Sequence, residues 1–194
     1  MMDKNNITGI ILSGGKSRRM GTDKGFLSFN GKLFTQASID SLKPLVSEII
    51  IVSNNADYDV FGLKRIEDIM DNAGPLAGIY SGLNHSKTEC IIALSCDIPL
   101  ITSGILKRLI EGTDDASEVI QIESNGKSMP LIALYKKSCK DVFYKLLQKG
   151  ERRLQFAVNQ CQVKNITLDS ESARLTMNIN TPEELKVIEN EHKH

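Results

Sequence analysis

The chain has 194 residues, 24 Lys+Arg against 24 Asp+Glu, three His and 41% hydrophobic residues. A formal net charge of zero gives no global attraction to nucleic acid or to an anionic membrane, so any polyanion site has to be local. A chain of this length buries roughly 70% of its unfolded surface on folding, so it needs no disulfide or metal staple.

In chain order, residues 7–12 (ITGIIL) read as a first buried strand and 32–45 as a helix. A second strand follows at 48–53 (EIIIVS), then a helix at 76–84, a strand at 89–94 (ECIIAL) and a helix at 103–111. Residues 117–122 form a weaker strand, 130–135 (PLIALY) another apolar one, and 137–149 and 182–190 two more helices. The last helix has the best start signal: Thr181 as cap, Pro182 where its missing N–H costs nothing, and Glu184 completing a capping box. Apolar strands alternating with helices predict an α/β domain with a mostly parallel sheet, and no linker divides it. Ligands of such sheets bind beyond the carboxyl ends of the strands. The four cysteines (Cys90, Cys96, Cys139, Cys161) contain no C-x-x-C pair and read as reduced residues of a cytosolic protein. The first apolar run is far too short for a signal or a membrane span, so the expected compartment is the cytoplasm, with no membrane partner.

The segment from Leu12 to Lys24, LSGGKSRRMGTDK, carries most of the chemistry. It is neither a Walker A loop, since Ile10 stands where that motif needs Gly, nor a G-x-G-x-x-G turn. Its glycines still let backbone N–H groups approach phosphate oxygens, and Lys16, Arg18, Arg19 and Lys24 supply cations nearby. Asp97, in Ser95-Cys96-Asp97-Ile98-Pro99, suits Mg²⁺ held between phosphates, or equally a cap for the helix near Ser103. Gly74-Pro75 with Gly78 one turn later fits either a backbone laid against a ligand or a helix packed closely on its neighbour. Arg152 and Arg153, after Gly150, have the pattern of a solvated surface element. Asn178 and Asn180 alternate as on one strand face, where both amides could meet a heteroaromatic ligand.

Taken together, LSGGKSRRMGTDK, RIEDI, GPLAGI, CDIP, PLIALY, KGERR and NINTPEEL, in this order, resemble the molybdenum cofactor guanylyltransferase family across nearly the whole chain. The resemblance implies a single nucleotidyltransferase domain over residues 1–194, with the Rossmann-like three-layer α/β sandwich of that family. It implies transfer of GMP from GTP to the phosphate of molybdopterin with release of pyrophosphate, and Mg²⁺ as cofactor. It also implies transient contacts with other proteins of molybdenum cofactor biosynthesis and with acceptor enzymes. By residue, it assigns Leu12, Ser13, Gly14 and Gly15 to the nucleotide loop, Lys24 to the phosphates, Asp68 to the nucleoside and Asp97 to the metal. Asn54 or Asn55 is expected at the guanine, and Asn178 and Asn180 at the pterin. Arg19 joins Lys24 and Asp97 as a catalytic candidate, neutralising charge on the leaving pyrophosphate. Met129 stands where the family can have His. Three rivals remain: a cytidylyltransferase for the same cofactor, a sugar-1-phosphate nucleotidyltransferase, and a non-catalytic nucleotide-sensing module. Finally, five cations and one acid between Ser13 and Lys32 face one cation and five acids between Glu67 and Asp97, and the two stretches are expected to meet across one crevice.

Overall fold

The structure, a computed structural model, describes residues 2–14, 23–70 and 73–191. Its elements are β1 (Ile7–Leu12), β2 (Ser28–Phe29), β3 (Lys32–Leu33), α1 (Phe34–Leu42), β4 (Glu48–Val52), β5 (Lys64–Ile66), α2 (Gly74–His85) and β6 (Cys90–Ser95). There follow α3 (Ser103–Glu111), β7 (Val119–Ser124), β8 (Lys127–Lys136), α4 (Cys139–Gln148), α5 (Leu154–Val158), β9 (Val163–Thr167), α6 (Ser170–Arg174) and α7 (Pro182–Glu191). Short 3-10 turns occupy Lys4–Asn6, Lys24–Phe26 and Ala56–Phe61.

Seven strands form one sheet in the order β5-β4-β1-β6-β8-β7-β9. Strict alternation on each central strand feeds two separate cores. Ile7 and Ile11 of β1, Ile49 and Ile51 of β4, and Ile92 and Leu94 of β6 pack with residues of α1 and α3. Ile10, Ile50, Val52, Ile91 and Ala93 point the other way, onto α2, α4 and α5. The result is the expected Rossmann-like three-layer sandwich with a mostly parallel sheet. One strand departs from the parallel reading: the 130–135 run lies in β8, which is antiparallel to both β6 and β7. Burial on both faces makes a strand continuously apolar whatever its direction, so composition cannot tell the two apart.

The start of α1 moves for a local reason, while α3 keeps its expected limits. The 32–45 segment gives up Lys32 and Leu33 to a hairpin whose Asn30-Gly31 turn has φ of 49° and 75°, the left-handed pair of a two-residue hairpin loop. On α3 the cap is Thr102, whose hydroxyl accepts from Ile105 N at 3.4 Å, so Asp97 is not needed for that task. The α7 start forms as expected: Thr181 Oγ1 accepts from Glu184 N at 3.2 Å, and Glu184 Oε2 accepts from Thr181 N at 3.1 Å and Asn180 N at 2.5 Å. Glu184→Ala should therefore lower stability by about 1 kcal/mol, read as a lower urea midpoint at unchanged slope.

Running from β1 to β4 and β5 on one side, then returning to β6 on the other, the chain reverses its order beside β1. That switch point opens a crevice beyond the carboxyl ends of β1, β4 and β6, which run parallel. Among the described residues no helix is long and apolar enough to cross a membrane.

Candidate functional site

Three strand ends are stitched together at this crevice. Ser13 N donates to Val52 O at 3.0 Å, and Cys96 N to Leu12 O at 3.2 Å, so the loops after β1, β4 and β6 leave from one level. Gly14 then takes φ +116°, which an L side chain rarely adopts, with Ser53 Oγ 3.4 Å from where a Cβ would stand. A cleft of about 650 Å³ opens here, lined by Leu12, Ser13 and Gly14 from β1, Asn54 and Asn55 from β4, and Asp68 beyond β5. Within it Asn54 Oδ1 accepts from Asp68 N at 2.9 Å, bracing two of the expected nucleoside contacts against each other. Helix α2 forms another wall through Gly74, Pro75 and Gly78. A Cβ on Gly78 would sit 2.7 Å from a Leu12 methyl, and one on Gly82 2.9 Å from Ile10. Close packing of α2 on β1 thus accounts for these glycines.

Beside the cleft stands a charged cluster. Lys24 Nζ donates to Asp97 Oδ2 at 3.0 Å and to Asn180 Oδ1 at 2.5 Å, while Ser95 Oγ donates to Asp97 Oδ1 at 2.6 Å. The Lys24 and Asp97 side chains are 19% and 13% exposed, a shielded pair in which charge interactions outweigh those of surface ion pairs. Ser95 lines the cleft itself and Asp23 lies next to Lys24 on its wall, so the cluster borders the space where a triphosphate would lie. The segment after α6 is tied in by Ile179 N, which donates to Asp97 O at 2.8 Å.

That segment corrects one expectation: residues 177–180 are not a strand, and the two asparagines do different things. Asn180 joins Lys24, whereas Asn178 lines a second cavity of about 620 Å³ with Met129, Pro130, Leu131 and Met177. The two cavities adjoin, sharing Pro75 and Leu131 as lining residues. Asn178 Oδ1 is buried there with no hydrogen-bond partner among the described residues. Gly15 and Arg19, the other loop candidates, lie outside the described residues, as do Lys16 and Arg18.

Among the described residues, the opposed charge stretches meet at one pair. Lys24 reaches Asp97, but Lys32 pairs with Asp40 at 2.6 Å on the surface, and Glu89 precedes β6, lining a hollow that shares no residue with the cleft. Arg153 is held by Glu151 at 2.7 Å and lies 4.9 Å over the Phe156 ring; the Glu151 carboxyl is kept down at about 2 by that guanidinium. Arg152 and Arg153 are exposed, in keeping with a solvated element, yet the Arg152 carbonyl lies 3.7 Å from where a Cβ of Gly74 would stand.

Several site residues carry little sequence signal. Asp23, Asn55 and Tyr58 form a network with no motif of its own beyond Asp23-Lys24, and Ser95 reads only as the first loop residue after the 89–94 strand. Cys96 adjoins Asp97, but burial pushes its thiol up to about 12, so it is no nucleophile at neutral pH. The donor set fits Mg²⁺. Asp97 is a hard ligand steadied on one oxygen by a neutral hydroxyl and meeting a positive charge with the other, and Mg²⁺ needs only one or two protein carboxylates beside phosphate and water. Among the described residues no three His, Cys, Asp or Glu side chains gather as a closed metal site would require.

Comparison with known proteins agrees with this fold. Residues 9–163 match the family described as the MobA-like NTP transferase domain. The chain is 35% identical over 181 residues to a protein of Flavobacterium johnsoniae named "Probable molybdenum cofactor guanylyltransferase", covering 92% of this chain and 94% of that one. It is also 35% identical over 181 residues to the Yersinia pestis "Molybdenum cofactor guanylyltransferase", covering 91% and 92%. The Archaeoglobus fulgidus "Molybdopterin-guanine dinucleotide biosynthesis protein A" superposes with a TM-score of 0.81 at 21% identity, over 96% of this chain and 98% of that one. A 4-diphosphocytidyl-2C-methyl-D-erythritol synthase from Anaerococcus prevotii superposes at 0.79 with 11% identity, over 98% and 97%, and shares the fold alone.

Proposed function

The chain belongs to the MobA-like NTP transferase family, and from that premise we propose that it is a molybdenum cofactor guanylyltransferase. In this reading a single domain, residues 1–194, joins GMP from GTP to the terminal phosphate of molybdopterin and releases pyrophosphate. The observation that carries it is the Lys24–Asp97–Asn180 cluster, bordering a cleft large enough for a nucleotide and a second cavity beside it.

The β1 end and Gly14 backbone receive the triphosphate, and Asn54 and Asp68 face the nucleoside from the β4 and β5 side. Lys24 neutralises charge that builds on the departing pyrophosphate. Asp97 holds Mg²⁺, which when bound supplies charge neutralisation at the phosphates. Asn178 offers an amide oxygen to the pterin in the second cavity, and Asn180 positions Lys24. No general base is required, because a phosphate monoester is mostly dianionic above its second pKa of about 6. Chemistry of this kind depends on alignment and charge, which the cluster supplies. The same reading places the reaction in the cytoplasm, with molybdenum cofactor biosynthesis proteins and acceptor enzymes as transient partners.

A non-catalytic sensor would need neither the lysine nor the carboxylate at this border. Titration of the purified protein with GTP and CTP in the presence of Mg²⁺ tests the base assignment. At least about tenfold tighter binding of GTP is expected, the size of one good polar discrimination. A tenfold preference for CTP would overturn it in favour of the cytidylyl reaction.

A further inference from the structure

Lys24 opens a 3-10 turn, Lys24–Phe26, whose cap is the preceding residue: Asp23 Oδ1 accepts from Gly25 N at 3.1 Å. The same oxygen accepts from the Tyr58 hydroxyl at 2.6 Å, and Asp23 Oδ2 accepts from Asn55 Nδ2 at 3.3 Å. Tyr58 is fully buried in the turn Ala56–Phe61 that follows β4. Its ring packs on Phe26 at 4.8 Å and Phe61 at 6.1 Å between centroids, contacts a phenylalanine could make as well. The hydroxyl is therefore the part of Tyr58 that packing does not explain. A Cβ on Gly25 would collide with that phenol oxygen and with Thr35 Oγ1, so a side chain is given up at 25 where the two turns meet.

We propose that Tyr58 is a positioning residue: acting through Asp23, it sets Lys24 for the reaction and links that lysine to Asn55 on the wall of the nucleotide cleft. The physical reason is competition. An Asp beside a Lys in sequence is its nearest counter-ion, and an ammonium drawn to Asp23 is lost to Asp97 and to phosphate. With both Asp23 oxygens occupied by neutral donors, Lys24 is left to Asp97 and Asn180. Burial, with the neighbouring Asp23 carboxylate, pushes the phenol far above its ordinary range, so it remains a donor at every working pH.

The proposal rests on the guanylyltransferase reading only for the reaction that Lys24 serves, so the test has two readouts. The first is acylation of Lys24 by an N-hydroxysuccinimide ester, followed by peptide mass spectrometry, with exposed Lys107 as internal reference. The second is pyrophosphate release from GTP with Mg²⁺ and molybdopterin. Tyr58→Phe should speed Lys24 labelling at least about fivefold relative to Lys107 and lower kcat about tenfold, with KM for GTP within about threefold. Asp23→Asn removes the competing carboxylate, so the double variant should lose less than Tyr58→Phe alone, as expected when both act through one contact. A folded Tyr58→Phe protein with unchanged labelling or unchanged kcat overturns the proposal, as does simple additivity. A wild type that releases no pyrophosphate overturns the guanylyltransferase reading instead. The labelling rates then still decide the placement of Lys24: faster in Tyr58→Phe supports it, unchanged overturns it.

Discussion

Asp97→Ala is expected to lower pyrophosphate release from GTP at least about a hundredfold, the cost of losing one preorganised charge contact at a reacting phosphate. The substitution removes the carboxylate proposed to hold the metal and leaves the Lys24 ammonium with the Asn180 carbonyl as its remaining partner in this cluster. Fold damage is a poor explanation for such a loss. The bond that docks the 177–180 segment runs from Ile179 N to the Asp97 main-chain oxygen and survives the change. The cap of α3 is Thr102 and survives as well. Steady-state kinetics with a matched thermal melt check this: a kcat near wild type in a folded variant would remove Asp97 from the metal role.

Lys24→Ala is expected to cost at least as much, and to show it differently. Without the ammonium, the Asp97 carboxylate, 13% exposed, meets the incoming triphosphate without the lysine charge that offsets it. Like charges at close range raise KM for GTP, and loss of charge neutralisation on the leaving group lowers kcat, so kcat/KM should fall by more than about a hundredfold. Lys24→Arg should restore only part of this, because a planar guanidinium cannot replace a compact ammonium between an Asp and an Asn. Near wild-type kcat/KM in Lys24→Ala would show that the cluster is structural.

How much of this was legible beforehand depends on what each residue does. Strands β1, β4 and β6 announce themselves because both faces are buried, and α7 because Thr181 and Glu184 satisfy each other's backbone groups. Strand β9 does not, since Val163–Thr167 lies at the sheet edge with no fully buried residue. At three residues, β5 is too short to show a period. The Asn30-Gly31 and Asn125-Gly126 turns, all with positive φ, were signals for hairpins: the helix expected from 32 cut into the first, and the strands expected to 122 and from 130 stopped short of the second.

At the site, a motif marks through fixed spacing the residues proposed to touch a ligand, such as Gly14, Lys24 and Asp97. It cannot mark residues that touch those residues across the fold. Tyr58 lies 35 positions from Asp23, and Asn180 lies 156 from Lys24, so only the folded chain brings them together. Asn178 and Asn180 show the converse limit. Alternation in sequence suggested one face, but the segment is not a strand, and its two amides serve separate places.

The central claim is guanylyl transfer at the crevice beyond β1, β4 and β6. Its most direct test incubates the purified protein with GTP, Mg²⁺ and molybdopterin, measuring pyrophosphate by enzymatic assay and the pterin product by mass spectrometry. The expected result is a molybdopterin species heavier by one GMP unit, formed in equal amount with pyrophosphate and dependent on Mg²⁺. Tight GTP binding with neither product would contradict it.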